Sequence, residues 1–177
     1  MAISSSSLAA LLTNHAAMLG LCVTVFATPF LISGGFHGHE EQTFALATSL
    51  AQAVQVFWLI SCYLLLSPRI KWTEILHAAA LILLCTALSV FLSVIAGPTV
   101  ATADAILKYL GPVLVGTVSL YFITVALVAD RIAKTSLGTV GYAFLIFYWP
   151  FALFAFAPRM REAFKRAAEQ RSETAQL

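Results

Sequence analysis

Residues 75–103 read ILHAAALILLCTALSVFLSVIAGPTVATA, a stretch without a single Asp, Glu, Lys or Arg. A helix rises about 1.5 Å per residue, so roughly 20 apolar residues cross the ~30 Å of hydrocarbon in a bilayer. The stretch is long enough for one crossing, and Gly97 and Pro98 stand where the helix is expected to stop. The sequence therefore predicts a membrane-spanning helix over Ile75–Ile95.

Four further stretches free of Asp, Glu, Lys and Arg lie along the chain, between clusters of charged residues. Each is also long enough to cross a bilayer, and backbone groups in lipid must bond within their own segment, which favours helices. The five predicted spans are Leu8–Ile32, Thr43–Leu66, Ile75–Ile95, Tyr109–Val128 and Leu137–Phe156. We therefore predict an all-α, polytopic integral membrane protein. It has a bundle of about five transmembrane helices over residues 1–158 and a basic amphipathic C-terminal tail over residues 159–177.

The composition of the 177 residues agrees with a membrane protein. Hydrophobic residues make up 60% of the chain and charged residues only 10%, whereas soluble domains contain about 45–50% and about 25%. So few charged side chains cannot cover a water-exposed surface, which excludes a soluble enzyme, a nucleic-acid-binding domain and a disordered regulator. The net charge of +2 gives no indication of a polyanionic partner. The predicted partner of most of the surface is the lipid bilayer, and no nucleic acid is expected.

The distribution of Lys and Arg predicts the orientation. Five crossings place the two termini on opposite sides of the membrane. With the C-terminus in the cytoplasm, the inside holds six basic residues, Lys108 and the five of the tail, and the outside holds four. Because cytoplasmic segments carry the excess of Lys and Arg, this count favours a cytoplasmic C-terminus, in a membrane that the sequence does not identify. A re-entrant or interfacial segment would change the parity and bring both basic groups to one side.

The tail is predicted to be a helix with a basic surface. Met160, Phe164 and Ala167 recur at helical spacing and form a narrow apolar stripe between Arg and Lys residues. Such a segment suits the headgroup surface of a bilayer, where each basic residue near anionic lipid contributes about 1 kcal/mol. The alternative interpretation is a charged flank that only stops transfer of the last span.

The spans contain neutral polar residues but no carboxylate, Lys or Arg, which disfavours an ion-coupled transporter. Asn14 and His15 lie near the start of the first span, and Gln52 and Gln55 share one face of the second. One interpretation is ordinary hydrogen bonding between helices, worth about 0.6 kcal/mol per bond. The other is a catalytic site with His15 as the acid or base. Gln52, Gln55 or Asn14 would orient a substrate there. The carboxylate at the mouth of the pocket would come from Glu74, Asp104 or Asp130.

The first predicted loop offers a candidate metal site. His37, His39 and Glu40 place two imidazoles and a carboxylate within four residues, a set that could hold a divalent metal loosely. The alternative is a hydrated loop without a metal. His15 and His77 lie toward the same membrane face, but their axial offset of roughly 7 Å disfavours haem ligation. No particular cofactor is predicted.

Rows of small residues on two spans predict close helix packing. The rows are Cys85, Ser89, Ser93 and Gly97 on the third span, and Gly111, Gly116 and Ser119 on the fourth. The fifth span is instead rich in aromatic residues, and Pro150 is predicted to kink it.

Three functions fit these features, in the following order of preference. The first is a non-catalytic accessory or assembly subunit of a membrane complex, whose partner is another membrane subunit. The second is a small membrane enzyme acting on a hydrophobic small molecule such as a terpenoid, a sterol-like compound or a polyketide, with His15 as the acid or base. The third is a passive channel or transporter, for which the spans supply only a thin polar lining.

Overall fold

A computed structural model describes residues 5–32, 40–67, 69–95, 103–133, 136–149 and 152–175. Within these ranges the chain is helical and contains no strand, which confirms the predicted all-α class. The helices are α1 Ser5–Leu12, α2 His15–Ile32, α3 Glu40–Leu65, α4 Trp72–Ile95, α5 Ala103–Ile132, α6 Ser136–Phe147 and α7 Leu153–Ala175.

Three of these helices are long and apolar enough to cross a membrane. The apolar segments are Leu46–Leu65 in α3, Trp72–Ser89 in α4 and Gly111–Ile132 in α5. They correspond to the second, third and fourth predicted spans. A bundle of about five crossings is not confirmed, because the first and fifth predicted spans are each divided between two helices.

The first predicted span, Leu8–Ile32, is interrupted at Thr13 and Asn14. The Asn14 side-chain oxygen accepts a hydrogen bond of 3.2 Å from the backbone N–H of Ala17. Asn14 is therefore the N-cap of α2, because its side chain satisfies an N–H that the first helical turn leaves without a partner. The capping residue starts a new helix and separates α1 from α2.

The fifth predicted span, Leu137–Phe156, contains the end of α6 and the beginning of α7. The 12 residues of α6 extend over only about 18 Å, less than the thickness of the hydrocarbon core. The kink predicted at Pro150 lies outside the described residues. Helix α7 continues through Pro158, so the predicted boundary between bundle and tail falls inside one helix.

The core contains buried side chains from all seven helices, and α7 contributes one face to it. The stripe predicted in the tail is present, but Met160, Phe164 and Ala167 are buried against the protein rather than facing lipid. Near the start of α7, Phe156 contacts Trp58 of α3, with 6.2 Å between ring centroids. Burial of this stripe in a helix with a charged opposite face explains why α7 folds back onto the bundle.

The far end of α7 reaches the end of α3. Arg171 donates hydrogen bonds of 2.6–2.9 Å to the carbonyl oxygens of Leu64, Leu65 and Ser67. Leu64 and Leu65 lie in the last turn of α3, where the carbonyl oxygens lack the N–H donors of a following turn, so the guanidinium caps α3. We call this end of the bundle the basic end; it contains the last turns of α3 and α5, the first turn of α4 and residues 161–171 of α7.

Candidate functional site

A continuous polar network lies at the basic end and joins α3, α4 and α5. Its members are Tyr63, Ser67, Glu74, His77, Thr124 and Arg131. Of the residues predicted from the sequence to form a site, only Glu74 belongs to it.

The Glu74 carboxylate is held by three donors. Arg131 Nη2 lies 2.7 Å from Oε1, and the two side chains are 21% and 12% exposed. The Ser67 hydroxyl donates to Oε2 at 2.6 Å, and the backbone N–H of Lys71 donates to the same oxygen at 3.3 Å. Both carboxylate oxygens are thus bound, and the carboxylate connects the start of α4 to the ends of α3 and α5.

Arg131 has a second set of contacts, with Tyr63 of α3. Its Nη1 donates to the Tyr63 carbonyl oxygen. The guanidinium carbon also lies 4.5 Å from the centre of the Tyr63 ring, within the range of a cation–π interaction. One guanidinium therefore binds a carboxylate, a backbone carbonyl and an aromatic face, a combination that suits the planar fork of Arg and not the ammonium of Lys.

His77 extends the network toward the middle of α5. Its Nε2 lies 2.8 Å from the Thr124 hydroxyl, which itself donates to the Leu120 carbonyl oxygen at 2.7 Å. A hydroxyl has one proton, so when Thr124 donates to Leu120 it accepts from His77 in the tautomer that carries the histidine proton on Nε2. The imidazole also lies against the Tyr63 ring, with centroids 5.2 Å apart.

The network connects α3, α4 and α5 through side-chain hydrogen bonds. Five of its six side chains are hydrogen-bonded to another element or to their own backbone, and Tyr63 contributes its ring and its carbonyl oxygen. Three of the contacts connect residues 47–68 positions apart in the sequence. Polar side chains in a membrane bundle stabilise helix association in this way.

The five residues predicted to be catalytic lie in separate places. Asn14 caps α2, His15 is the exposed first residue of that helix, and Gln52 is exposed on α3. Gln55 donates from Nε2 to the Tyr121 hydroxyl of α5 at 2.8 Å. Within the described residues, no hydrogen bond joins the Asn14–His15 pair to either glutamine. A catalytic role of His15 stays a prediction.

The candidate metal site is only partly within the described chain. His37 and His39 lie outside the described residues, and Glu40 is the first residue of α3. Across the ranges that the structure describes, no three His, Cys, Asp or Glu residues are grouped as a metal site requires. The predicted metal site therefore stays a prediction.

The sequence contains a signal for the ion pair of Glu74 with Arg131. Glu74 and Arg131 each lie at the edge of a charge-free stretch, and the predicted spans put both edges on the same membrane face. Opposite charges at one depth, on adjacent helices, are candidates for pairing. Tyr63 and Thr124 carry no such signal, because aromatic and hydroxyl residues are common throughout these spans.

Thr124→Val is expected to lower the free energy of unfolding by about 1 kcal/mol, within the range measured for hydrogen bonds between membrane helices. Valine has nearly the shape of threonine but leaves the His77 Nε2–H without its acceptor. Denaturation by sodium dodecyl sulfate in micelles, followed by far-UV circular dichroism, measures the change.

Thr86→Val is the matched control for this prediction. Thr86 is exposed on α4 and donates only to the Ile82 carbonyl of its own helix, at 2.8 Å, as Thr124 does to Leu120. Both variants lose the local bond, and only Thr124→Val loses the bond between helices. Equal stability of the two variants would show that the His77–Thr124 contact contributes nothing.

Comparison of the chain with protein-family models, with curated proteins and with solved structures gives no match.

Proposed function

We propose that this chain is a non-catalytic accessory or assembly subunit of a membrane complex, and that it binds another membrane subunit through the outer face of α5. The observation that carries the proposal is a set of small residues on a face of α5 that the rest of the described chain leaves uncovered. The proposal agrees with a polar network whose contacts stabilise helix packing.

The outer face of α5 lies opposite the face that packs on the bundle. Thr117, Thr124 and Val128 are buried on the inner side, whereas Ser119 and Ala126 are exposed on the outer side, seven residues apart. A spacing of seven residues keeps two side chains on nearly the same line of a helix. The outer face therefore has a shallow groove between larger apolar side chains.

Gly116 borders this groove. A Cβ atom built on Gly116 meets no atom within 4 Å, so nothing in the described chain requires a glycine there for close approach. Glycine inside a helix costs up to about 1 kcal/mol relative to alanine, and in membrane helices small residues permit close approach of a second helix. Close approach of a helix from another subunit would give Gly116 a packing function, which no contact within the described chain provides.

The topology that we propose has four crossings, by α2 to α5, and a re-entrant hairpin formed by α6 and α7. The 18 residues of α2 extend over about 27 Å, close to the hydrocarbon thickness. The end of α6 lies beside Trp58, where Trp149 stacks at 5.2 Å, and α7 returns to the end of α3 at Arg171. Five crossings would separate the tail from that end of α3.

With four crossings, the Lys and Arg residues are distributed far more unequally between the two sides of the membrane than with five. Nine of the ten Lys and Arg residues then belong to one side, and only Lys108 belongs to the other. The nine are Arg69, Lys71, Arg131, Lys134, Arg159, Arg161, Lys165, Arg166 and Arg171. The excess of basic residues on cytoplasmic segments supports a cytoplasmic basic end and a cytoplasmic C-terminus.

The double variant Gly116→Leu/Ser119→Leu tests the docking face. Two leucines fill the groove with apolar side chains that lipid accommodates, whereas a closely packed partner helix would lose 1 kcal/mol or more to the overpacking. We expect the ratio of complexed to free chain to fall about tenfold, equivalent to about 1.4 kcal/mol. Blue-native electrophoresis of the tagged chain, expressed in its native membrane and extracted in mild detergent, measures this ratio.

The matched control is Ala79→Leu/Ala87→Leu, which adds apolar volume to two exposed positions of α4 instead. We expect this variant to keep the complex. The subunit proposal is overturned if the unaltered chain migrates alone, if its complex contains only copies of this chain by mass spectrometry, or if both double variants assemble equally.

A further inference from the structure

A cavity opens between α1, the end of α3 and α7, next to the polar network but separate from it. Its volume is about 490 Å³, within the range of small-molecule sites in proteins. The cavity lining combines two kinds of residue, cationic side chains from α7 and apolar side chains from all three helices.

The cationic part consists of Arg161, Lys165 and Arg171, and the lining contains no carboxylate. Three positive charges without a counter-charge repel one another, and an anion between them would relieve that repulsion. In the described chain, the ion pair of α7 is formed by Arg159 and Glu162, which do not line the cavity. The charge of this site therefore favours an anionic ligand over a neutral or cationic one.

The two guanidinium groups are fixed in place by hydrogen bonds to oxygen atoms of the chain. Arg161 donates from Nε to the Thr13 hydroxyl at 3.1 Å and from Nη2 to the Thr13 carbonyl oxygen at 3.4 Å. Arg171 donates from Nε and Nη2 to carbonyl oxygens at the end of α3. Among the described residues, no hydrogen bond uses Nη1 of either arginine or the ammonium of Lys165. The guanidinium groups are held at the cavity by their other hydrogen bonds, and all three donor groups remain available to oxygen atoms of a ligand.

The remaining surface of the cavity is apolar. Leu65 and Phe164 contribute the large side chains, and alanines from α1 and α7 complete it. A small hydrophilic anion leaves such a surface unused, whereas an amphiphile with an anionic head covers both parts. The site also lies at the basic end, where α3 and α4 leave the apolar part of the bundle.

We propose that this cavity binds an anionic phospholipid, with the phosphate oxygens among Arg161, Lys165 and Arg171 and the first part of an acyl chain against Phe164 and Leu65. The lipid would fasten α7 to α1 and α3, because those three helices line the cavity. The phosphate supplies several oxygen acceptors for the three free donor groups.

Lys165→Gln tests the phosphate contact. Lys165 is exposed and makes no hydrogen bond or ion pair with the described chain, so its loss leaves the fold intact. The full chain is purified in a neutral detergent, and binding of dioleoylphosphatidylglycerol is measured by native mass spectrometry. We expect Lys165→Gln to weaken binding about tenfold.

Arg166→Gln is the matched control, because Arg166 is the next residue of α7, carries the same charge and does not line the cavity. We expect a change of no more than about twofold for this variant. Equal losses for Lys165→Gln and Arg166→Gln would show diffuse attraction to a basic helix and would overturn the site.

A second variant tests the apolar part without any change of charge. Ala168 is exposed at the cavity, and Ala168→Phe fills the space that the acyl chain would occupy. We expect about tenfold weaker lipid binding and an unchanged far-UV circular dichroism spectrum. Undiminished binding would overturn the placement of the acyl chain.

Two further ligands distinguish the source of the phosphate. Dioleoylphosphatidylcholine has the same acyl chains with a neutral headgroup, and we expect it to bind at least tenfold more weakly. Inorganic phosphate is expected not to displace the bound lipid at equal concentration. Equal binding of the neutral lipid, or displacement by inorganic phosphate, would contradict the proposal.

Discussion

Arg131→Met is expected to lower the free energy of unfolding by about 3 kcal/mol. The substitution keeps most of the apolar volume of the side chain but leaves the Glu74 carboxylate, which is 12% exposed, without its cation. Removing one partner of a buried ion pair costs about 3–5 kcal/mol. We expect the lower end of that range, because the Arg131 side chain is 21% exposed. Denaturation by sodium dodecyl sulfate in micelles, followed by far-UV circular dichroism, measures the loss.

The other ion pair of the described chain, which lies within α7, is the natural control. Arg159 and Glu162 are 3.4 Å apart, and their side chains are 56% and 58% exposed. Such surface pairs contribute about 0–1 kcal/mol, so Arg159→Met is expected to change stability by less than about 0.5 kcal/mol. Adding Glu74→Gln to Arg131→Met is expected to restore part of the loss, since it removes the unpaired charge. Equal stabilities of Arg131→Met and Arg159→Met would contradict the structural role of the network.

The central helices were predictable because a single property, the length of a run without charged residues, indicates them. The predicted spans Thr43–Leu66, Ile75–Ile95 and Tyr109–Val128 fall within α3, α4 and α5 or pass the helix end by one residue. Backbone groups in lipid must bond within their own segment, and in these three runs the helix that satisfies them continues without a break.

The first and last predicted spans depended on local interactions that hydropathy does not detect. The Thr13–Asn14 break arises from a single side-chain cap, within a run that contains no charge. The last run, Leu137–Phe156, is equally apolar throughout, yet it includes the end of one helix and the start of another. Apolar composition indicates that a segment avoids water; it does not indicate whether the segment crosses the bilayer or packs on the bundle.

Only part of the site could be predicted from the sequence, because its contacts join residues of different helices. Glu74 was identified as a polar residue at the mouth of the bundle, but its partner Arg131 lies 57 positions away. Pairing at that distance is decided by which helices are neighbours and how they are rotated, and one sequence does not contain that information. Met160 and Phe164 show the same limit, since their spacing predicts an apolar face without specifying lipid or protein as its contact.

Trp58→Ala is expected to have the largest effect of any single substitution proposed for this chain, about 3–5 kcal/mol of unfolding free energy. Trp58 is 1% exposed, and its ring stacks on Trp149 at 5.2 Å and contacts Phe156 at 6.2 Å. Its indole N–H also donates to the Leu12 carbonyl at 2.9 Å. One side chain thus joins α1, α3, the end of α6 and α7, and alanine would leave a large cavity between them.

Two further variants separate the contribution of burial from that of the hydrogen bond to Leu12. Trp72, the first residue of α4, is 71% exposed, so Trp72→Ala is expected to cost less than about 0.5 kcal/mol with the same change of side chain. Trp58→Phe keeps an aromatic ring but loses the bond to Leu12, and we expect about 1–3 kcal/mol, the cost of a buried carbonyl without its donor together with a smaller ring. If Trp58→Ala and Trp72→Ala unfold at the same denaturant concentration, α7 does not pack on α3 as described. The proposed re-entrant hairpin then loses its support, since the Trp58 contacts place the end of α6 beside α3.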